Sequence, residues 1–172
     1  MRPRSPKWEP ATPVLARGER PQSPNNAPTR FCSHPMIFFK AQQMQQLARL
    51  LMRLETLLER VGGDASHELE ESLEDAAERT GVHLEILRLA GPETIEEVLA
   101  PGGGGDPGKV WGAAEVLFLD GLLAHAQGRA VEARDRLEKA HRLYLLLEPD
   151  LELPDEAVPP AQRIRSLREL LE

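Results

Sequence analysis

The chain is poor in cysteine and in aromatic side chains. Cys32 is the sole cysteine in 172 residues, which excludes an intrachain disulfide and a cysteine-based zinc site. Aromatic residues make up 4% of the chain. There is also no long uninterrupted apolar run. The longest apolar stretch, Val110 to Ala126, is broken by Glu115, Asp120, Gly121 and His125, and is too short and too polar to span a bilayer. Residues 1–35 contain no apolar run and carry proline throughout, so a secretory signal is not expected. These absences place the chain in a reducing cytoplasm, away from the membrane.

What is present is charge and helix-forming residues. Charged residues account for 28% of the sequence and hydrophobic ones for 41%, a mixture that suits a water-exposed globular chain. The frequent arginine, alanine, glycine and proline point to a GC-rich bacterial genome. The net charge of −7 is unevenly divided. Residues 1–35 hold six bases, Arg2, Arg4, Lys7, Arg17, Arg20 and Arg30, against Glu9 and Glu19, a balance of +4 that leaves the remainder at −11. An acidic body with few aromatic rings repels a phosphate backbone, so no nucleic-acid partner is expected.

Eight of the 15 prolines fall within the first 35 residues. Each removes a backbone donor and biases its predecessor away from helix. This segment is read as a disordered Pro-rich tail or an over-extended start, with the true start near Met36, and residues 36–172 as a single helical domain. Ile37, Met44, Leu47, Leu51, Leu54, Leu58 and Val61 then trace one stripe on a long helix that Gly62-Gly63 ends. A second helix, capped by Asp64 or Ser66, carries Leu69, Leu73 and Ala76 or Ala77 and stops at Gly81. Val82–Ala90 reads as a short helix. Pro92-Glu93 opens another that buries Ile95, Val98 and Leu99.

After a glycine-rich loop over Pro101–Gly105, Asp106 caps a helix with Pro107 in its first turn. That helix is apolar on most sides to about Gln127, which predicts a position between other helices. Gly128 permits a tight turn. The next helix spaces Ala130, Ala133, Leu137, Ala140, Tyr144 and Leu147 by three and four. A last helix from about Pro160 sets Ala161, Ile164, Leu167 and Leu171 opposite its arginines. Nothing alternates with period two, so the expected class is all-α, a bundle of antiparallel helix hairpins.

Small residues at Gly121, Ala133 and Ala140, a turn at Gly128, and Leu117 and Leu137 between them give residues 114–147 a likeness to one tetratricopeptide repeat. The pattern departs from that family at Asp120, where a large apolar residue is usual, at Ala124, where an aromatic is usual, and in lacking a closing proline. The resemblance implies a repeat-like scaffold that buries its faces against neighbouring helices. Phe39-Lys40 followed by Met44-Gln45-Gln46-Leu47-Ala48-Arg49 is also similar to a group of uncharacterised bacterial helical proteins, a likeness that implies a fold and no activity.

Several residues invite chemistry. Gly103 to Lys109 matches most of a G-x-x-x-x-G-K phosphate loop, but Val110 stands where a Ser or Thr should hold magnesium and no strand precedes it. A glycine linker ahead of a helix accounts for it better. Glu138 and His141 share a helical face, as in di-iron bundles, with Asp64 and His67 as the nearest second pair. A surface ion pair is the plainer account, and no metal or other cofactor is expected. Asp120 lies among Leu117, Phe118, Leu119, Leu122 and Leu123, so it needs Arg136 or Lys139 as a partner, or a groove to face. Trp111, Phe118, Asp120, Leu122 and His125 are the candidates for a partner-binding groove, against the alternative of plain core. The sequence thus reads as a non-catalytic scaffold for a protein or peptide partner, or for a homodimer through the first helix. The alternative is a small metal- or ligand-using helical enzyme centred on Glu138 and His141.

Overall fold

The computed structural model describes residues 34–61, 66–99, 101 and 105–172. The expectations for the proline-rich tail and its start, for the Gly62-Gly63 stop, for a cap at Asp64, and for most of the 101–105 loop lie outside the described residues. Seven helices follow one another: α1 (His34–Val61), α2 (Ser66–Thr80), α3 (Leu84–Leu89), α4 (Ile95–Leu99), α5 (Pro107–Ala126), α6 (Ala130–Leu145) and α7 (Pro160–Leu171). No strand occurs among the described residues, and the class is all-α. No helix among them is long and apolar enough to cross a membrane.

The arrangement follows from α5, whose apolar residues point in every direction. Val110, Trp111, Ala113, Ala114, Val116, Leu117, Phe118, Leu119, Leu123 and Ala124 are all buried. A helix apolar all round must be covered on all sides. Here α6 packs along one flank, and α1 and α2 cover the others. The leucine stripe of α1 supplies Leu47, Leu51 and Leu54 to this core, and α2 adds Leu69, Leu73, Ala76 and Ala77. Each large apolar side chain so buried contributes about 1.5–3 kcal/mol relative to leaving it exposed.

Asp106 starts α5 as expected: its Oδ1 accepts from the Gly108 N–H at 3.0 Å. Gly128, at φ +74°, makes the turn between α5 and α6 in a backbone region that side chains disfavour. Close approach is the role of Gly121. A Cβ there would stand 2.7 Å from Leu137 Cδ2 and 3.4 Å from the Ala133 carbonyl oxygen, so α6 lies directly on the α5 backbone. Gly112 does the same toward α1 and α2, where a Cβ would meet Thr80 Cγ2 at 2.6 Å and Leu47 Cδ2 at 2.9 Å.

Three expectations need correction. Helix α4 begins at Ile95 rather than at Pro92-Glu93, because residues 92–94 form a turn in which the Thr94 and Ile95 N–H groups donate to the Gly91 carbonyl. That short helix buries Ile95 and Leu99 but leaves Val98 43% exposed. In α7, Leu167 is fully buried, Ile164 and Leu171 are half-buried and Ala161 is exposed, while Arg163 points inward and is itself buried. The arginines of that helix are therefore not all on its solvent side.

Candidate functional site

Asp120 is fully buried at the middle of α5 and is held by two guanidinium groups. Arg136 of α6 reaches its carboxylate with Nε at 3.0 Å and Nη1 at 3.1 Å, and Nη1 also reaches the Asp120 carbonyl at 3.3 Å. Arg88 of α3 approaches from the other side, Nη2 at 2.8 Å and Nε at 3.0 Å. The Asp120 hydrogen bond raises the Arg88 pKa, whereas burial lowers that of Arg136 against the pull of Asp120. Arg136 is one of the two partners expected from sequence. Lys139 is not: its ammonium donates to the carbonyls of Leu87 and Arg88, at 3.4 and 2.7 Å, and pairs with Asp135 at 2.6 Å. It thereby satisfies carbonyls at the C-terminal end of α3.

A second buried charge centre escaped the sequence reading altogether. Arg163 of α7 donates to Glu115 of α5 at 3.2 and 3.0 Å and to Glu55 of α1 at 2.6 and 2.8 Å. Its guanidinium also lies 4.4 Å from the centre of the Phe118 ring. Burial pulls the Arg163 pKa down, but the hydrogen bonds it donates to Glu55 and the charge of Glu115 together raise it. Burial pushes Glu115 above the ordinary carboxylate value in spite of Arg163. The neighbouring Tyr144 hydroxyl is driven well up by burial and by the Glu115 charge. The spacing of α7 held one clue. Arg163 lies four residues before Leu167, on the face that the structure buries.

The five residues offered for a partner groove do not form an open surface. Trp111, Phe118 and Asp120 are buried, Leu122 is half-buried, and His125 alone is exposed. Glu138 and His141 also part company. Glu138 pairs with Arg134 at 3.0 Å, one turn back on α6. His141 is held below its ordinary pKa by burial and then by the charge of Arg168. His67 meets Glu71 at 3.6 Å on the exposed side of α2. No group of three or more His, Cys, Asp or Glu residues suited to a metal ion occurs among the described residues. In the phosphate-loop match, the Asp106 carboxylate occupies the start of α5 and accepts from the Gly108 N–H, where a phosphate would need those donors.

An open groove lies elsewhere, between α4, the start of α5 and the end of α6. Its volume is about 390 Å³. Pro107, Val110, Leu146, Leu147 and Leu151 supply apolar walls, and Glu96, Glu97 and Glu148 supply the charge. Leu146 is 44% exposed, with Leu145 beside it at 56%. The groove is therefore lined by apolar and acidic side chains together. The signal for it in the sequence was the run Leu145-Leu146-Leu147, one residue too many for a three-four stripe.

No protein-family model matches the chain, and neither the curated proteins nor the solved structures include a match.

Proposed function

We propose that the chain is a non-catalytic, tetratricopeptide-like scaffold whose α4–α5–α6 groove takes a basic amphipathic segment of another protein. The carrying observation is the combination of exposed Leu146 and apolar walls with Glu96, Glu97 and Glu148 at the groove. Apolar anchors supply affinity, while opposite charge steers and discriminates. The close Gly121–Leu137 packing supports the repeat-like part of the reading, because small residues at a helix crossing are what that family's hairpin uses.

A second copy is the less favoured occupant. The stripe of α1 on which homodimerisation rests is largely covered within the chain: Leu47, Leu51 and Leu54 are buried and Leu58 is half-buried. An acidic groove also repels an acidic copy of itself.

The test is isothermal titration with two peptides sharing the same leucine spacing, one lysine-rich and one glutamate-rich. The basic peptide should bind at micromolar concentration and the acidic one at least tenfold more weakly. Leu146→Asp, or Glu96→Lys with Glu97→Lys, should each weaken the basic peptide at least tenfold. Equal binding of the two peptides, or a salt-insensitive dimer that Leu146→Asp dissolves in sedimentation, would overturn the proposal.

A further inference from the structure

The segment joining α6 to α7 crosses α1 and α5 over a small cavity of about 60 Å³. Leu51 and Val158 give it apolar walls, and Glu55, Trp111, Glu115, Glu156 and Arg163 give it polar ones. At about 30 Å³ of liquid volume per molecule, it has room for about two waters or a very short alcohol.

Two wall residues carry buried atoms with no partner in strict hydrogen-bond geometry. Trp111 is 1% exposed, and its Nε1 is buried without an acceptor. Glu156 engages Arg49 through Oε1 at 3.0 Å, but its Oε2 is buried without a donor. A buried polar atom left unmade is costly, and native proteins satisfy nearly all of them. An indole N–H can only donate and an ionised carboxylate can only accept. An occupant that satisfies both must therefore offer an acceptor and a donor.

A hydroxyl does both with one oxygen. An anion would face the carboxylates of Glu55, Glu115 and Glu156, while the guanidinium of Arg163 is already committed to Glu55 and Glu115. An ammonium would leave the indole N–H without an acceptor. We propose that this cavity is a binding site for a hydroxyl group, supplied by water or by a short alcohol, which accepts from Trp111 Nε1 and donates to Glu156 Oε2. The bound hydroxyl ties the α6–α7 connection to the central helix.

The full chain labelled with ¹⁵N, carrying Trp8→Phe so that a single indole signal remains, provides the readout. In plain buffer the Trp111 indole N–H should show a cross-peak to a long-lived water. Methanol is then titrated in. A water cross-peak with no saturable shift assigns the hydroxyl to solvent, and a saturable shift that displaces the water assigns it to an alcohol. Glu156→Ala, in the half-exposed connection, should weaken methanol binding or shorten the water's stay roughly tenfold, as expected for loss of one hydrogen bond to a charged group. Glu156→Gln, which keeps an acceptor, should retain most of it. The absence of both water cross-peak and saturable shift, or an unchanged signal in Glu156→Ala, overturns the assignment.

Discussion

Asp120 stands fully buried between Arg88 and Arg136, and that pairing decides what its loss would do. Removing the carboxylate leaves two guanidinium groups facing each other in a low-dielectric interior. Asp120→Ala should lower the unfolding free energy by about 3–5 kcal/mol, the range for breaking a buried pair from one side. Urea denaturation checks this, and a loss below about 1 kcal/mol would mean that water reaches both arginines. Glu115 behaves differently, because burial raises its pKa above the ordinary 4.5. The folded protein then holds this proton more tightly than the unfolded chain does. Its contribution is fully present below about 4.5 and is lost as pH rises through the raised value. Glu115→Gln should flatten that part of the stability profile, seen as a smaller fall in melting temperature above pH 4.5 than in the parent protein.

Among the elements, the α5–α6 hairpin depends on the absence of a side chain at Gly121. Gly121→Ala gains helix propensity of about 1 kcal/mol but drives its Cβ to 2.7 Å from Leu137 Cδ2. The net effect should be a destabilisation of about 1–3 kcal/mol, the usual cost of overpacking. Leu137→Val in the same chain should recover part of it, which a double-mutant cycle by thermal unfolding would show. Elements of this kind were legible in the sequence because their signals are local. The three-four spacing of α1 and α6, the Asp106-Pro107 start and the Gly128 turn each act within a few residues. The charge centres were legible only where the partner sits on the neighbouring helix, as Arg136 does for Asp120. Arg88 lies 32 positions from Asp120, and Arg163 lies 48 from Glu115 and 108 from Glu55. Nothing local in a helix full of arginines tells which one turns inward. The groove was missed for a related reason. Leu146 falls off the three-four stripe that ends at Leu147, and only the placement of α4 and α5 shows that it lines a groove.

At the scale of the whole molecule, two kinds of charge are kept apart. The pairs at Asp120 and Glu115 are sealed among helices, whereas Glu96, Glu97 and Glu148 line an open groove. Mobile ions screen exposed charges far more than buried ones. Raising sodium chloride from 0.1 to 1 M should therefore shift the unfolding free energy by less than about 1 kcal/mol, while binding of a basic peptide weakens at least tenfold. Parallel loss of stability and affinity would show that the inner pairs are wetted. The placement of Arg163 also bears on how the chain is made. Glu115 and Glu55 emerge from the ribosome well before α7, so a nascent chain reaching only to α6 carries buried Glu115 and half-buried Glu55 without the Arg163 guanidinium that both bind. Packing α1 on α5 at that stage is penalised until the last described helix arrives. Completion of the core is thereby delayed until α7 has emerged, and a product truncated ahead of residue 163 packs that core without the cation that Glu55 and Glu115 share.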